Sequence, residues 1–353
     1  MTSIADLSVE ALTECYRRGA LSPVEVARDC LARIERAAAF NAFMPLKPDQ
    51  VLAEARASEA RWRNGATLGA LDGVPATVKD NIWLKGYPTR RGSLAGDTAA
   101  AQDDSPAPAR LREQGAVFLG KTCLPEHGWI GACHSPLTGI TRNPWNPEHT
   151  PGGSTGGGAV AALLGLGLLH LGTDGAGSLR IPAAFTGVFG FKPSYGRVPT
   201  YPPSLLNVLA HQGPIARCVR DAAHTLTAIA QPDSRDMAAW NTPAPDFADD
   251  LQRGVRGLRI ALSLRLGYVN NLDPEIEAAV VKVARALEEQ GAIVEEADPP
   301  VGRAGAMIRA MWWPVMTGLA DAVAPERRGE IDPGLMSLAE RGKAFTVGDY
   351  VAA

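Results

Sequence analysis

Pro151-Gly152-Gly153-Ser154-Thr155-Gly156-Gly157-Gly158 is the densest chemical signal in this chain. A second glycine loop follows it, Gly172-Thr173-Asp174-Gly175-Ala176-Gly177-Ser178-Leu179-Arg180. Upstream, a lysine sits in Thr77-Val78-Lys79-Asp80-Asn81. Glycine-rich loops let a backbone approach a ligand closely and expose its N–H groups. Here two such loops, each with a serine, bracket the apolar run Ala159–Leu171. That run is too short and glycine-rich to span a bilayer, and it is expected to be a buried helix running into a strand. Two serine loops, a buried segment between them and a lysine make a frame for an active site.

Other uses of these residues fit less well. A phosphate-binding loop needs Gly-Lys-Ser/Thr at its end, and none is present. Gly152-Gly153-Ser154-Thr155-Gly156 matches the G-x-S-x-G nucleophile elbow, but the elbow needs a strand directly before it. The preceding Asn143-Pro144-Trp145-Asn146-Pro147 cannot pair as a central strand. Cys123, His127, Cys133 and His134 lie close together, yet their C-x3-H-x5-C-H spacing matches no common zinc pattern. His149, His170, His211 and His224 are not tied to a nucleophile. A lysine-based mechanism therefore fits better than Ser–His–Asp.

The chemistry of that lysine is coherent. A serine hydroxyl needs a base to become a good nucleophile. A neutral lysine can serve, but the free amine titrates near pH 10.4. Burial is the usual way to lower this, and a shift of about three units costs roughly 4 kcal/mol in the folded state. Lys79 follows Val74-Pro75-Ala76-Thr77-Val78, which reads as a buried strand. Strand geometry then sends Asp80 to the opposite face, so it need not hold Lys79 charged.

Outward from this centre, short apolar strands alternate with glycine and proline turns at Val74–Val78, Ala116–Leu119 and Leu168–Leu171. A helix is expected over Ala107–Gln114. The alternation predicts an α/β fold with a parallel or mixed sheet covered by helices. Residues 8–38 read as two helices, the second opening on the capping box Ser22-Pro23-Val24-Glu25, and 50–63 as a third. Residues 231–256 read as a polar surface loop. Residues 257–298 repeat the β–α–β theme, with strand Leu258–Leu262, helix Pro274–Gln290 and strand Ile293–Glu296.

Composition sets limits on partners and compartment. The chain has 353 residues, 46% of them hydrophobic, and a net charge of −3. It lacks the clustered Lys and Arg of a nucleic-acid binder. Five scattered cysteines suggest reduced thiols. Met1–Asp6 has neither the basic nor the apolar region of a signal peptide. Together these predict a cytoplasmic protein with no direct nucleic-acid contact and no membrane.

Residues from about 70 to 225 resemble the amidase signature family. The motifs fall nearly in order: Val78-Lys79-Asp80-Asn81, Asn143-Pro144-Trp145-Asn146, the first glycine–serine loop, Gly172-Thr173-Asp174, Phe191-Lys192-Pro193-Ser194-Tyr195-Gly196-Arg197, and Gly213-Pro214-Ile215-Ala216-Arg217. The resemblance implies the amidase signature fold, a mixed central β-sheet covered by helices on both faces. It implies one domain over 1–353, with N-terminal helices in 1–65, the signature core in 70–225 and a C-terminal part in 257–353. In the family, words like Gly348-Asp349-Tyr350 begin a helix followed by a further segment, so the C-terminal part is expected to be incomplete.

The same resemblance implies a Ser–Ser–Lys triad. Ser178 takes the nucleophile position, Ser154 the bridging position after a cis peptide bond, and Lys79 the base. Backbone N–H groups of Gly175, Ala176, Gly177 and Ser178 would form the oxyanion hole, braced by Thr155, Asp174 and Arg180. The expected activity is hydrolysis of carboxylic acid amides, or related esters or carbamates, through an acyl-enzyme on Ser178. No cofactor or metal is required, the partner is a small-molecule amide, and a homodimer is left open. Two alternatives remain: an A-type subunit of a tRNA-dependent amidotransferase, and a non-catalytic binding protein on the same fold. Trp83, Trp129, Trp312 and Trp313 are candidates for an apolar pocket, with core packing as the competing role.

Two positions depart from the family pattern. Thr155 replaces a serine, and Ala176 stands where glycine is usual. If residue 176 needs a positive φ, alanine costs on the order of 1 kcal/mol there. Ala176→Gly is expected to leave aryl-amide turnover unchanged or to raise it. A large fall in kcat would count against this placement of the loop.

Overall fold

The computed structural model describes residues 3–300 and 304–353. The chain opens with helices α1 (Val9–Arg17), α2 (Pro23–Arg36) and α3 (Pro48–Arg63). At the start of α2, the Ser22 hydroxyl accepts from the Glu25 N–H at 3.2 Å and the Glu25 carboxylate accepts from the Ser22 N–H at 2.8 Å. This is the reciprocal cap that the spacing predicts.

The central region runs β1 (Pro75–Lys79), α4 (Pro106–Glu113), β2 (Val117–Thr122), β3 (His134–Ser135), β4 (Gly139–Ile140), α5 (Gly156–Leu163), β5 (Leu169–Asp174), α6 (Arg180–Thr186), β6 (Phe189–Gly190), β7 (His211–Ala216) and α7 (Val219–Ile229). Five strands form one sheet in the order β2-β1-β5-β7-β6. β1 lies parallel to β2 and β5, while β7 is antiparallel to β5 and β6, so the sheet is mixed.

Side chains alternate across this sheet with period two. Ala76, Val78, Leu169 and Leu171 enter the main core with Leu12, Val26 and Leu226 from α1, α2 and α7. On the other side, Ala159 and Ala162 of α5 pack with Leu179 and Ile215. Helices therefore cover both faces. The three strands predicted for this sheet each start one residue early and stop short of the observed end. Several of the missed residues are polar and buried, among them Lys79, Lys121, Thr122 and Asp174. An apolar pattern ends before the hydrogen-bonded ladder does, because the last turn of each strand serves the site.

The C-terminal part contains β8 (Arg259–Leu262), α8 (Pro274–Glu289), β9 (Ile293–Glu296), α9 (Ala304–Asp321), α10 (Pro333–Gly342) and α11 (Val347–Ala352). Among the described residues, β8 and β9 pair only with each other, in parallel. α9 and α10 bury Met316, Ala320, Leu335 and Ala339 between them. Residues 231–256 hold only a short 3-10 turn, Asp249–Gln252. No helix among the described residues is long and apolar enough to cross a membrane.

α5 begins with three glycines, the poorest helix formers after proline. Close packing explains the second of them. A Cβ on Gly157 would lie 2.4 Å from the Ala42 carbonyl oxygen and 2.6 Å from the Cys123 nitrogen. Gly157→Ala is therefore expected to destabilise the protein by about 1–3 kcal/mol or more, against its gain in helix propensity. Urea unfolding of the two proteins measures this directly.

Candidate active site

The C-terminal ends of β1 and β5 are neighbours, and the two glycine loops close over them. Lys79 is the last residue of β1 and is fully buried. Its Nζ donates to Ser154 Oγ at 2.7 Å and to Thr173 Oγ1 at 2.8 Å. Ser154 precedes α5 and follows a cis Gly153–Ser154 peptide. A Cβ at residue 153 would lie 2.1 Å from the Ala132 carbonyl oxygen, so only glycine fits beneath this loop. Ser178 sits in the turn between β5 and α6. Its carbonyl accepts from the Thr155 N–H at 3.1 Å, and the Thr155 hydroxyl donates to the Thr173 carbonyl at 3.1 Å. Both loops are thus tied to each other and to β5.

Burial pushes the Lys79 amine down from its ordinary value to about 7, only partly opposed by Cys133 and Asp174 nearby. Asp80 does not neutralise it. That carboxylate pairs with Lys121 at 2.9 Å, in line with strand alternation. The amine therefore meets two hydroxyls and no adjoining carboxylate. Thr173 is the partner that sequence reasoning missed. It lay within a quoted motif, but nothing in its own residue type marks it as a lysine contact. Asn81 Nδ2 also donates to Thr173 Oγ1, at 3.0 Å.

Asp174 organises the second loop. Its carboxylate accepts from Gly177 N–H at 2.7 Å, Leu179 N–H at 3.1 Å, and Arg180 Nε and Nη2 at 3.0 and 2.9 Å. Burial opposes its ionisation, but these donors outweigh burial and hold the carboxyl below its usual range. One expectation needs correction here. The Gly177 N–H is already engaged by Asp174 and is not free for an oxyanion. The N–H groups of Gly175, Ala176 and Ser178 have no partner among the described residues. Ala176 also escapes the feared strain. The positive φ in this loop falls at Gly177, at 115°, not at Ala176.

Ser178 lies between two cavities. The first, of about 200 Å³, is lined by Ser154, Thr173, Arg91, Tyr201 and Leu206 among others. The second, of about 230 Å³, is more apolar, with Ala176, Ile181, Ile308 and Trp313 in its wall. Ser178, Gly128 and Trp312 belong to both. Of the four tryptophans, Trp129, Trp312 and Trp313 face these spaces, while Trp83 stands edge-on to Tyr201.

The Cys–His group keeps only its two cysteines together, the Cys133 thiol donating to the Cys123 carbonyl at 3.7 Å. Cys123 and Cys133 are buried, and His134 faces Asp332 at 3.6 Å. His127 lines the first cavity, and burial together with Arg91 pushes it down to about 4. No group of three metal-ligating side chains occurs among the described residues.

Comparison with known proteins places the chain. The family model described as Amidase matches residues 25–345. The A-type subunit of glutamyl-tRNA(Gln) amidotransferase from Synechococcus sp. (strain CC9605) is 38% identical over 298 residues, covering 84% of this chain and 60% of that protein. An acylamidase from Rhodococcus erythropolis is 35% identical over 344 residues, covering 96% of this chain and 72% of that one. A bacterial aryl acylamidase of the amidase signature family superposes with TM-score 0.91 at 32% identity, covering 98% of this chain and 74% of that chain. The native peptide amidase from Stenotrophomonas maltophilia gives TM-score 0.84 at 30% identity, with 99% and 78% covered. The chain spans 58–62% of the length of the first amidotransferase relatives. Motifs, sheet topology and these likenesses agree that the chain belongs to the amidase signature family.

Proposed function

We propose that this protein hydrolyses the carbon–nitrogen bond of carboxylic acid amides through an acyl-enzyme on Ser178. The observation that carries this is the 2.7 Å contact between a fully buried, near-neutral lysine amine and Ser154 Oγ, beside Ser178. Neutral Lys79 accepts the Ser154 proton while Ser154 accepts the Ser178 proton. Ser178 Oγ attacks the carbonyl, and the N–H groups of Gly175, Ala176 and Ser178 receive the developing oxyanion. On collapse, the proton returns from Lys79 through Ser154 to the departing nitrogen. Water then releases the acyl group by the same relay run again. Thr155, Asp174 and Arg180 hold the two loops in register. No cofactor or metal takes part in these steps. The cysteines are free thiols, which suits work in a reducing compartment such as the cytoplasm.

A second reading is an A-type subunit of a tRNA-dependent amidotransferase. The amidotransferase relatives at 37–38% identity favour it. Such a protein needs partner subunits, so amide hydrolysis that appears only after partners copurify would select it. The non-catalytic reading draws no support from Ala176, which is not among the residues of positive φ.

Ser178→Ala and Lys79→Ala are each expected to lower aryl-amide turnover by about 10³-fold or more. A fluorophosphonate should label Ser178 in the parent and not in Ser178→Ala. Full turnover in both variants would end the proposal. Turnover should also rise with pH through a midpoint near 7, as Lys79 loses its proton.

The depressed lysine has a stability signature too. The folded state binds that proton less well than the unfolded chain does, so the penalty is complete below about pH 7 and fades as pH rises toward the unfolded value near 10.4. Lys79→Met, compared with the parent by urea unfolding, should therefore show its greatest relative stability at about pH 6–7. The difference should shift in favour of the parent by about pH 10.

A further inference from the structure

Arg91 occupies a peculiar place in the first cavity. It lines that space, is half-buried, and its guanidinium has no hydrogen-bond or ion-pair partner among the described residues. Three acids lie close to the site and none pairs with Arg91; Glu126 accepts from the Asp332 N–H at 2.6 Å. Asp80 is paired with Lys121, and Asp174 is held by Arg180 and two backbone N–H groups. The charge of Arg91 is felt by two neighbours, His127 and Lys121, and both are basic side chains. The cavity beside Ser178 thus carries one uncompensated positive charge.

The backbone at this residue is equally unusual. Arg91 has φ 55°, a left-handed conformation that costs a non-glycine residue about 1 kcal/mol or more. Hydrogen bonds on both sides impose it. Its N–H donates to the Asp80 carbonyl at 3.2 Å, just beyond β1, and its carbonyl accepts from the His127 N–H at 2.7 Å. The residue is pinned between the lysine-bearing strand and the Glu126–Gly128 turn whose Gly128 lies against Ser154. A charged side chain is held beside a reaction centre with no ion-pair partner among the described residues. A planar guanidinium in that setting is matched to a carboxylate, which it can hold by two parallel hydrogen bonds.

The second cavity carries no charged side chain, with Ile181, Ile308 and three tryptophans in its wall. We propose that the substrate is an amide bearing a free carboxylate on one side of the scissile bond and an aryl or branched alkyl group on the other, with Arg91 binding the carboxylate. This rests on the amidase reading and names its substrate class. Arg91 is a specificity-determining residue here and takes no part in proton transfer.

A matched pair of anilides tests it: succinanilate, and the neutral methyl ketone of the same length. Carboxylate binding by arginine predicts that the parent protein favours succinanilate in kcat/KM by about 10- to 100-fold. Arg91→Gln should remove that preference, bringing kcat/KM for succinanilate to within about 2-fold of that for the ketone. Arg91→Lys should restore part of the preference, which a role in packing alone would not do. If the parent cleaves both anilides equally, or if Arg91→Gln slows both alike, the carboxylate site is wrong and the amidase reading stands. If the fluorophosphonate labels Ser178 but neither anilide is cleaved, the substrate class is wrong and the reactive serine stands. If neither anilide is cleaved and Ser178 resists the fluorophosphonate, the amidase reading falls and this inference falls with it.

Discussion

A lysine amine in a dry interior, facing two hydroxyls instead of a carboxylate, is the constraint on which this structure turns. Lys79 reaches Ser154 and Thr173 at the closed end of a five-stranded sheet. An adjoining carboxylate would have been the usual way to make such burial tolerable, and it would also have kept the amine charged. Strand alternation removes the nearest candidate by sending Asp80 to Lys121. The core residues Ala76 and Val78 on one side of β1 place Thr77 and Lys79 on the other. Folding and acid–base chemistry are therefore set by the same period-two pattern.

The loops follow from that choice. A buried base is useful only if a hydroxyl can be brought to it through backbone, and bulky residues would block the approach. Glycines at 153 and 157 let the first loop and α5 pass within contact of Ala132, Ala42 and Cys123. Asp174 then uses two N–H groups and a guanidinium to stiffen the second loop from within. The cost of burying that carboxylate is offset by its donors, and the result is a turn that keeps three N–H groups unspent.

Much of this was legible in the residues. The Ser22 capping box, the β–α alternation and the placement of α8 and β9 follow local rules, and they hold to within one or two residues. Lys79, Ser154 and Ser178 stand out because each sits in an unusual motif; in the fold Lys79 bonds Ser154, and Ser154 and Ser178 line one cavity. Other features were hidden because they depend on tertiary contact. Thr173 becomes a lysine partner only when β5 lies beside β1. The diversion of the Gly177 N–H to Asp174 is a matter of hydrogen direction, which glycine content cannot reveal. Arg91 sits in none of the glycine–serine or lysine motifs, and its cavity position emerges only from the fold.

The partition between the two cavities gives the chemistry a geometry of its own. Ser178, Gly128 and Trp312 form a shared wall, with Arg91 in one space and no charged side chain in the other. Under the proposed acyl-enzyme mechanism, a nucleophile set in a wall rather than at the bottom of a well would meet its substrate broadside. The two halves of the cleaved molecule would then come to rest in separate rooms. Either fragment could depart without passing the other, and water could follow the first to leave while the second stayed attached.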